Sequence, residues 1–261
     1  MNIVVCLKQV PGTTQVQIDP QTNTLVRQGI KSVLNPFDAY ALEEGVRIRE
    51  RYTGKVTVIT MGPPQADEML REAISVGADQ AILLSDREFA GSDTLATSYT
   101  LSQAVRKIAD YDLIICGRQT LDGDTGQVGP ELAEMLGLPF IAYVSKVEEV
   151  ADGTLRVQRL VDEGHESIES TLPAVVTVTK EINVPRLPSL RGMARSKSAQ
   201  IAVWTAADIE ADKESVGRAG SATVVVKTFV PERVRTGQVL SGTVEEQVEA
   251  LIGKLKETKV I

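Results

Sequence analysis

The chain has 261 residues, of which 43% are apolar, enough to form the packed core of one or two domains. Its 28 basic and 35 acidic side chains give a net charge of −7, which argues against non-specific nucleic-acid binding and against attraction to an anionic membrane. With one histidine, two cysteines and 4% aromatic residues, the chain is poor in the side chains that carry most acid-base, nucleophilic and metal chemistry.

The cysteines and the N-terminus show no sign of a metal site or of export. Cys6 and Cys116 lie in the apolar runs NIVVCLK and LIICG without a partner at metal-ligand spacing, which predicts buried, reduced thiols. The N-terminus MNIVV lacks the pattern of a signal peptide, and no run approaches the ~20 apolar residues of a membrane helix. We therefore expect no metal ion, no membrane-embedded segment and a cytoplasmic location.

The first part of the chain alternates short β-rich runs with longer segments of helical periodicity. Compact apolar runs predict strands at Asn2–Leu7, Val56–Thr60, Ala81–Leu84 and Leu113–Cys116. Apolar residues at i, i+3 and i+4 spacing predict helices at Asp38–Tyr52, Gln65–Val76 and Asp93–Ala109, with Ser92 or Asp93 capping the third. Repeated β-α-β units predict a doubly wound α/β fold with a mostly parallel sheet and right-handed crossovers.

Two insertions depart from this repeat. The segment VQIDPQTNTLV predicts a β-hairpin between the first strand and the first helix. After Ser145, the runs KVEEV, TLRVQRLV, ESIEST and AVVTVT, separated by turn signals, predict an antiparallel extension or a continuation of the sheet.

The C-terminal third is less regular. The segment VPRLPSLRGMARSKS has two prolines, a glycine and four basic residues, which predicts little regular structure and either a linker or an exposed docking loop. Residues 200–261 predict a short helix TAADIEAD, a strand TVVVKTFVP and a terminal helix whose capping box is Thr243 and Glu246. Their weak core predicts an arm that packs on something else, such as a partner subunit.

The segment Cys116–Leu136, CGRQTLDGDTGQVGPELAEML, is the strongest candidate for a binding site. It connects a predicted buried strand to a helix, which is where open α/β sheets bind ligands. Its glycines allow a close approach of the backbone to a ligand, and the helix start favours an anion, which together predict a phosphate cradle. The segment contains neither a G-x-G-x-x-G motif nor a Walker A motif, and Gln127 and Ala133 exclude a calcium loop. A merely glycine-rich turn is the alternative.

Other polar residues follow the remaining strands and should reach the same sheet edge. These are Cys6–Lys8, Thr60–Gly62, Gly91–Thr94 and Asn35–Asp38. Asn35 and Asp38 also suit a helix cap, and Phe37 also suits the core. Since the chain has one histidine and no nucleophile in a recognisable setting, it is more suited to holding a cofactor than to acting through its own side chains.

Several motifs, in order along about 190 residues, resemble the β subunit of electron transfer flavoproteins. They are VxxCLKQVP, LNPFDAYALEE, ITMGPP, SVGADQAILL, CGRQTLDGDTGQVGPELAEMLGLP and LPAVVTVTKEINVPRLPSLRGM. The resemblance implies a heterodimer with an α subunit, which holds one flavin in its own mobile domain. It also implies a Rossmann-like adenine-nucleotide or FAD-binding domain over residues 1–199, with a recognition loop at 183–198, and an arm at 200–261 that wraps the partner.

The resemblance also assigns residues to sites. To the adenine-nucleotide site it assigns Cys6, Asn35, Pro36, Phe37, Asp38, Met61, Gly117, Arg118, Gln119, Thr120, Leu121, Asp122, Gly123, Asp124, Thr125, Gly126, Gln127 and Val128. Phe37 would also approach the dimethylbenzene edge of the α-subunit flavin. Leu190 takes the place of the hydrophobic anchor that docks on acyl-CoA dehydrogenases, and such a single exposed side chain suits a hot spot. We expect Arg186, Arg191, Arg195 and Lys197 to form a basic patch around it.

The glycine loop departs from conventional members of the family, which hold AMP and resemble D-D-D-x-N-Q-T-G here. Gly123, Gly126 and Val128 replace the Asp, Asn and Thr of that pattern, so volume and polar groups are removed where a diphosphate would pass. In this the chain resembles the electron-bifurcating subgroup, whose β subunit binds a second FAD instead of AMP.

The bifurcating resemblance implies that this FAD takes a hydride from NADH and divides the electron pair. One electron passes through the α-subunit flavin to an acyl-CoA dehydrogenase or quinone-linked partner, and the other to ferredoxin or flavodoxin. The N–H groups from Thr125 to Gly129 would hold the diphosphate, Asp93 and Thr94 would meet the isoalloxazine or ribityl edge, and Arg118 would add positive charge near the reduced flavin. We expect NADH oxidation from the heterodimer only.

Two alternatives stay open. A conventional single-electron shuttle with structural AMP in this subunit shares nearly every motif and differs chiefly in the glycine loop. An ATP-binding relative of the same fold explains the strand-loop-helix site but not the NPFD or recognition-loop motifs.

Overall fold

The computed structural model describes residues 1–12, 17–18, 25–26, 32–226 and 237–261, with the backbone alone at 17–18 and 25–26. The chain divides into two compact units, Met1–Val226 and Lys227–Ile261. The first unit contains the sheet and the candidate site. No helix in the described ranges is both long enough and apolar enough to cross a membrane.

A nine-stranded sheet forms the centre of the first unit, in the order β11-β10-β9-β12-β8-β1-β6-β7-β13. Neighbouring strands from β9 to β13 in this order are parallel, whereas β10 is antiparallel to both of its neighbours, β9 and β11. The strands are β1 (Asn2–Cys6), β6 (Lys55–Met61), β7 (Gln80–Leu84), β8 (Leu113–Gly117), β9 (Phe140–Ala151), β10 (Thr154–Val161), β11 (Gly164–Thr171), β12 (Ala174–Val178) and β13 (Ala202–Trp204).

Helices cover both faces of this sheet. They are α1 (Pro36–Tyr52), α2 (Asp67–Val76), α3 (Thr94–Ile108) and α4 (Val128–Leu136). One apolar cluster joins α1 and α2 to alternate residues of β1 such as Ile3 and Val5, and a second joins α3 and α4 to Val4 and Cys6. Because both faces of β1 are buried, its run is continuously apolar. The predicted doubly wound α/β fold is confirmed.

The two insertions form paired strands as expected. Strands β3 (Gln17–Ile18) and β4 (Leu25–Val26) are antiparallel, and β2 (Gln9–Pro11) pairs with β5 (Ser32–Leu34) at their base. The predicted hairpin turn, residues 19–23, lies outside the described residues. For the segment after Ser145, both alternatives are found in part. Strands β9–β11 form an antiparallel extension, and β12 continues the parallel sheet between β9 and β8.

The expectation of little regular structure in the segment VPRLPSLRGMARSKS is wrong for its second half. Helix α5 spans Leu190–Ser198, and the Ser189 hydroxyl accepts a hydrogen bond from the N–H of Gly192 at 2.9 Å. Gly192 packs so closely on α2 that a Cβ would lie 2.0 Å from the Ser75 carbonyl oxygen. The glycine therefore allows two helices to pack closely, where the sequence pattern indicated a loop.

Two arginines bind α2 and α5 together reciprocally. Arg195 of α5 donates to the carbonyl oxygens of Ile74 and Ala78 at the end of α2, at 2.8 and 2.7 Å. Arg71 of α2 donates to the carbonyl oxygen of Ser196, in the last turn of α5, at 2.8 Å. Each cation thus satisfies carbonyl groups that a helix end leaves without an internal partner.

The polypeptide after residue 199 does not separate from the sheet at once. Residues 202–204 form the edge strand β13, and Ala206, Ile209 and Val216 are buried in the cluster beneath α3. The first compact unit accordingly runs to Val226, past the expected boundary at residue 199. The predicted helix at 205–212 is wrong, since that segment forms turns. The predicted strand at 223–231 has no regular structure at 223–226, and its remainder lies outside the described residues.

The second unit contains one helix, α6 (Val244–Glu257), in its described residues 237–261. The predicted capping box is confirmed. Thr243 Oγ1 accepts from the N–H of Glu246 at 3.3 Å, and the Glu246 carboxylate accepts from the N–H of Thr243 at 2.8 Å.

Candidate functional site

A cleft of about 360 Å³ opens where β1, β6 and β8 end and where α3 and α4 begin. Its walls are Cys6, Leu7, Lys8, Asp38, Met61, Ser92, Asp93, Thr94, Thr97, Leu101, Cys116, Gly117, Arg118, Gln119, Thr120, Gly123, Thr125, Gly126, Gln127, Val128 and Gly129. This is the carboxyl edge of a parallel sheet, the position at which such folds bind ligands. The expected convergence of the strand ends with the glycine loop is therefore present.

Most residues predicted to bind a cofactor share this cleft, and six do not line it. The six are Asn35, Pro36, Phe37, Leu121, Asp122 and Asp124. Asn35 is fully buried, its amide donates to the Gln119 carbonyl oxygen at 2.9 Å, and its carbonyl oxygen accepts from the N–H of Leu121 at 3.3 Å. Although it occupies the N-cap position of α1, its side chain makes no cap hydrogen bond there. Asn35 thus fixes the base of the glycine loop.

The two acidic residues of the loop are held by neighbouring side chains. Lys8 Nζ lies 2.8 Å from both carboxylate oxygens of Asp122, and Gln119 donates to Asp124. Burial raises the pKa of Asp122, but the Lys8 ammonium, together with hydrogen bonds from the Thr120 hydroxyl and the N–H of Gly123, more than offsets this effect, so the pKa lies below its ordinary value. These contacts fix the first half of the loop, from residue 118 to residue 124.

Asp38 lies at the floor of the cleft and joins two strand ends. Its carboxylate accepts from the N–H of Lys8 at 2.7 Å and from the N–H of Gly117. Burial raises the pKa of Asp38 to about 7, although hydrogen bonds from the Asn35 side chain and the two backbone groups act in the other direction. A Cβ on Gly117 would lie 2.3 Å from Asp38 Oδ1, so only glycine allows this contact.

The second half of the loop presents unused backbone donors. Within the described residues, the N–H groups of Thr125, Gly126, Gln127, Val128 and Gly129 have no protein acceptor. Helix α4 has no side-chain cap, so the positive end of its dipole also faces the cleft. A row of free N–H groups at an uncapped helix start is suited to a phosphate or diphosphate.

The start of α3 forms the opposite wall. The Asp93 carboxylate accepts from the N–H of Ala96 at 3.1 Å and from the N–H of Thr223 at 2.8 Å. Burial raises the pKa of Asp93, but these hydrogen bonds more than offset that effect and hold it below the ordinary value. Asp93 is therefore the cap predicted for this helix, and its carboxylate is already partnered.

Arg118 lies between two aromatic rings at the mouth of the cleft. Its guanidinium carbon is 5.9 Å from the centroid of the Phe37 ring and 5.6 Å from that of Tyr143. Arg118 also lines a second, more open groove of about 470 Å³, with Arg159 and Thr179 among its other walls. Apart from Arg118, that groove has no residue of the glycine loop on its walls, and it has no helix start, so we place the candidate site in the first cleft.

The two thiols lie side by side on the floor of the cleft. Cys6 and Cys116 are register partners on the parallel strands β1 and β8, and both are buried and free, as predicted. The hydrogen bond with Cys116 and burial raise the pKa of the Cys6 thiol well above its ordinary value. The Cys6 thiol is therefore a protonated, apolar wall group and not a nucleophile.

Some walls of the cleft were missed as site residues in the sequence. Thr97 and Leu101 lie one and two turns into α3 after Asp93, and helical spacing from that cap is the signal that points to them. Gly129, whose N–H was already expected at the diphosphate, also has a packing role that the sequence does not show, because a Cβ there would lie 2.4 Å from Thr177 Cγ2. Its glycine lets α4 begin directly against β12.

Comparison with known proteins gives the family. Residues 22–209 match the electron transfer flavoprotein domain. The electron transfer flavoprotein subunit beta of Thermoanaerobacterium thermosaccharolyticum is 49% identical over 262 residues, with 100% of both chains covered. The caffeyl-CoA reductase-Etf complex subunit CarD of Acetobacterium woodii is 44% identical over 263 residues, again with 100% of both covered. The protein FixA of Sinorhizobium fredii is 43% identical over 264 residues, covering 98% of this chain and 92% of FixA.

The chain belongs to the electron transfer flavoprotein β-subunit family. Membership of this family indicates redox chemistry that involves a bound flavin or nucleotide. This agrees with the scarcity of catalytic side chains in the chain.

The segment expected to dock a partner of this flavoprotein subunit is strongly exposed. Leu190, the first residue of α5, is 84% exposed, and Val184 and Leu187 are each 86% exposed. A partner that covers these three side chains would bury an apolar surface that lies open in this chain.

Two of the four residues expected to form a basic patch around Leu190 also make bonds inside the fold. Arg186 is bound to Glu43 and Glu50, at 2.8 and 2.6 Å, and Arg195 holds the end of α2. Arg191, Arg195 and Lys197 are exposed, whereas Arg186 is half-buried. Of the four cations, Arg186 is therefore the one whose charge is offset by two close carboxylates.

Proposed function

We propose that this chain is the β subunit of a heterodimeric electron transfer flavoprotein and that its cleft holds FAD in place of AMP. The observation that carries the proposal is the row of free N–H groups from Thr125 to Gly129 at the uncapped start of α4. A diphosphate has enough oxygens to accept from several of these donors at once, whereas a single phosphate accepts from fewer of them. Because Gly123 and Gly126 have no side chains, the loop leaves room for the diphosphate.

The chain's own residues hold and orient this cofactor. The cleft of about 360 Å³ would hold part of this molecule, and Asp93 and Thr94 at the start of α3 would contact its isoalloxazine or ribityl edge. When bound, the flavin supplies the redox chemistry by accepting a hydride and passing on single electrons. Arg118, held between its two aromatic rings, places a fixed positive charge at the mouth, which favours electron-rich ring systems there.

We further propose that NADH reduces this FAD in the heterodimer and that the electron pair is divided. One electron reaches the α-subunit flavin and an acyl-CoA dehydrogenase or quinone-linked partner, and the other reaches ferredoxin or flavodoxin. Support comes from the departure of the glycine loop from the D-D-D-x-N-Q-T-G pattern and from the similarity to a subunit named for a caffeyl-CoA reductase-Etf complex. The cytoplasmic location stays a prediction.

The partner contacts that we propose use two exposed apolar surfaces. Helix α6 has no buried residue, and its Val248, Leu251 and Ile252 side chains are at least 41% exposed at helical spacing. We propose that this face packs on the α subunit, because an unpartnered amphipathic helix gains most of its stability from such burial. Leu190 and the adjacent exposed side chains form the docking surface for the dehydrogenase.

The deciding experiment is a count of bound nucleotides in the purified heterodimer. Two FAD molecules per heterodimer, together with reduction by NADH, support the proposal. One FAD and one AMP overturn it in favour of the conventional shuttle, and ATP turnover by the chain overturns both.

A loop exchange tests the same point within one protein. The triple variant Gly123→Asp, Gly126→Asn and Val128→Thr restores the polar groups of the conventional pattern, and we expect it to lose the second FAD and to retain AMP. The matched control is Gly137→Asn, which makes the same kind of change at a left-handed glycine (φ 67°) at the far end of α4. This control should keep the nucleotide content of the unmodified protein.

A further inference from the structure

The helix starts that form two walls of the cleft are linked by hydrogen bonds, of which the shortest go to one carboxylate. Two longer bonds also join them, from Thr94 Oγ1 to Gln127 Oε1 at 3.3 Å and from Ser98 Oγ to the Val128 carbonyl oxygen at 3.4 Å. Glu131, in the first turn of α4, accepts from Thr94 Oγ1 at 3.1 Å and from Ser98 Oγ at 2.9 Å. Thr94 is the first residue of α3, and Ser98 lies one turn further along it. Glu131 therefore fixes the beginning of one helix to the beginning of the other.

The linked residues adjoin the cleft but are not the cleft itself. Thr94 of α3 and Gln127, Val128 and Gly129 of α4 line it, whereas Glu131 and Ser98 stand behind this wall. Ser98 is fully buried, so removal of the Glu131 carboxylate leaves its hydroxyl only the longer, 3.4 Å hydrogen bond to the Val128 carbonyl oxygen. At the opposite end of the pair, Arg106 donates to the Met135 carbonyl oxygen, so the two helices are tied at both ends.

We propose that Glu131 is a positioning residue that sets the spacing of the two helix starts and thereby selects for a diphosphate over a single phosphate. The inference rests on the proposed nucleotide site. A single phosphate needs only the N–H groups at the start of α4, whereas a diphosphate and the groups beyond it must fit between that start and Thr94. The spacing of the two walls consequently matters more for the longer ligand.

Charge and geometry make opposite predictions for this residue. As an anion near a bound phosphate, Glu131 repels the ligand, so neutralisation by itself should tighten binding. As a positioning residue it should be needed for binding, provided that an acceptor for the two hydroxyl groups is kept. Glu131→Gln removes the charge and retains an oxygen acceptor, while Glu131→Ala removes both.

The test measures binding of ADP and of AMP to the full chain, with Glu134→Ala as the matched control. Glu134 is an exposed glutamate of the same helix, without a side-chain partner among the described residues. We expect Glu131→Ala to weaken ADP binding about five- to tenfold, which corresponds to the loss of two hydrogen bonds to neutral donors. The same variant should weaken AMP binding less than about twofold. Glu131→Gln should retain the ADP affinity within about twofold, and Glu134→Ala should change neither affinity.

The outcomes separate the inference from the function on which it rests. Tighter ADP binding in both Glu131 variants would overturn the positioning role and leave only charge repulsion. An equal loss of ADP and AMP binding in Glu131→Ala would show general destabilisation and also overturn it, and thermal unfolding of each variant measures that effect directly. Failure of the unmodified chain to bind either nucleotide would instead contradict the proposed function.

Discussion

The ammonium of Lys8 and the carboxylate of Asp122 form a two-pronged ion pair at 2.8 Å, although 114 residues separate them in the chain. The pair joins the end of β1 to the tip of the glycine loop on one side of the cleft. The Lys8 backbone is itself fixed, since its N–H donates to Asp38 and its carbonyl oxygen accepts from the N–H of Asn35 at 2.9 Å. A rigid strand end therefore holds the loop.

Replacement of Lys8 by Met should release the tip of the loop and speed the loss of bound nucleotide. Because both side chains are more than a third exposed, the pair contributes about 1 kcal/mol or less, so we expect a two- to fivefold rise in the dissociation rate. Stopped-flow dissociation of a fluorescent ADP measures it. Lys213→Met, which removes an exposed lysine from its pair with Glu88 away from the loop, is the control. Identical rates in both variants would contradict the role of the ion pair.

The buried carboxyl of Asp38 should give the fold a distinctive pH dependence. Its pKa is about 7 in the folded chain against an ordinary value of 3.8, so between these values the folded state binds more protons than the unfolded state. Stability from this group is therefore greatest below pH 4 and decreases as the pH rises to 7, by up to about 4 kcal/mol. Carboxylates whose pKa is lowered, such as Asp86 and Glu50, act in the opposite direction.

Asp38→Asn isolates this contribution. Urea unfolding from pH 4 to pH 7.5 should show that the variant loses less stability with rising pH than the unmodified chain, whatever its absolute stability. The difference between the two curves is the relevant quantity, because every other group cancels. Parallel curves would mean that Asp38 is ionised throughout and that its three N–H donors outweigh its burial.

Gly129→Ala should destabilise the fold at the joint between α4 and β12. The new methyl group would lie 2.4 Å from Thr177 Cγ2, and such overpacking costs about 1–3 kcal/mol. Thr177→Ser removes that methyl group and keeps the hydroxyl that accepts from the N–H of Tyr143 at 3.2 Å. Thermal unfolding should therefore show that the double variant recovers much of the loss. Gly253→Ala, in open space within α6, should be neutral or slightly stabilising.

Charge reversal at two arginines should separate docking from folding. Arg191→Glu changes an exposed residue beside Leu190, so we expect slower electron transfer to the dehydrogenase with an unchanged melting temperature. Arg186→Glu breaks the bonds to Glu43 and Glu50 and should lower the melting temperature. Transfer kinetics and thermal unfolding of both variants distinguish the two. Normal transfer kinetics in Arg191→Glu would exclude this surface as the docking site.

Leu190→Ala should slow transfer to the same partner at least tenfold, since the proposed docking would bury a leucine that is 84% exposed in this chain. Flavin content should remain unchanged because Leu190 does not line the cleft. The control is Val203→Ala, a 55% exposed apolar residue of the edge strand β13. Equal transfer rates in the two variants would count against Leu190 as an anchor.

The central α/β fold was predictable because its signals are local. A strand that is buried on both faces, such as Leu113–Gly117, appears in the sequence as a continuous apolar run. The capping box at Thr243 is likewise a short sequence motif. Helix α5 was not predictable, because Gly192 is explained only by the carbonyl oxygen of Ser75 more than a hundred residues earlier. The same holds for the turns at 205–212, which are fixed by contacts beneath α3.

The site was predictable in part for a related reason. Topology places strand ends at one edge, so the loop from Gly117 to Val128 and the start of α3 could be expected to meet. Whether a residue lines the cleft or supports the loop from behind depends on the direction in which its side chain points. Asn35 turns toward the loop backbone and Asp122 toward Lys8, and neither direction is visible in the spacing of the residues.

The reciprocal arginine bonds between α2 and α5 have a consequence for association. They hold the backbone beneath Leu190 in one conformation before any partner arrives, so little backbone entropy remains to be lost on docking. A surface prepared in this way can engage a partner through a few side chains and still release it quickly. Short-lived encounters of that kind suit a carrier that must leave each partner as soon as an electron has crossed.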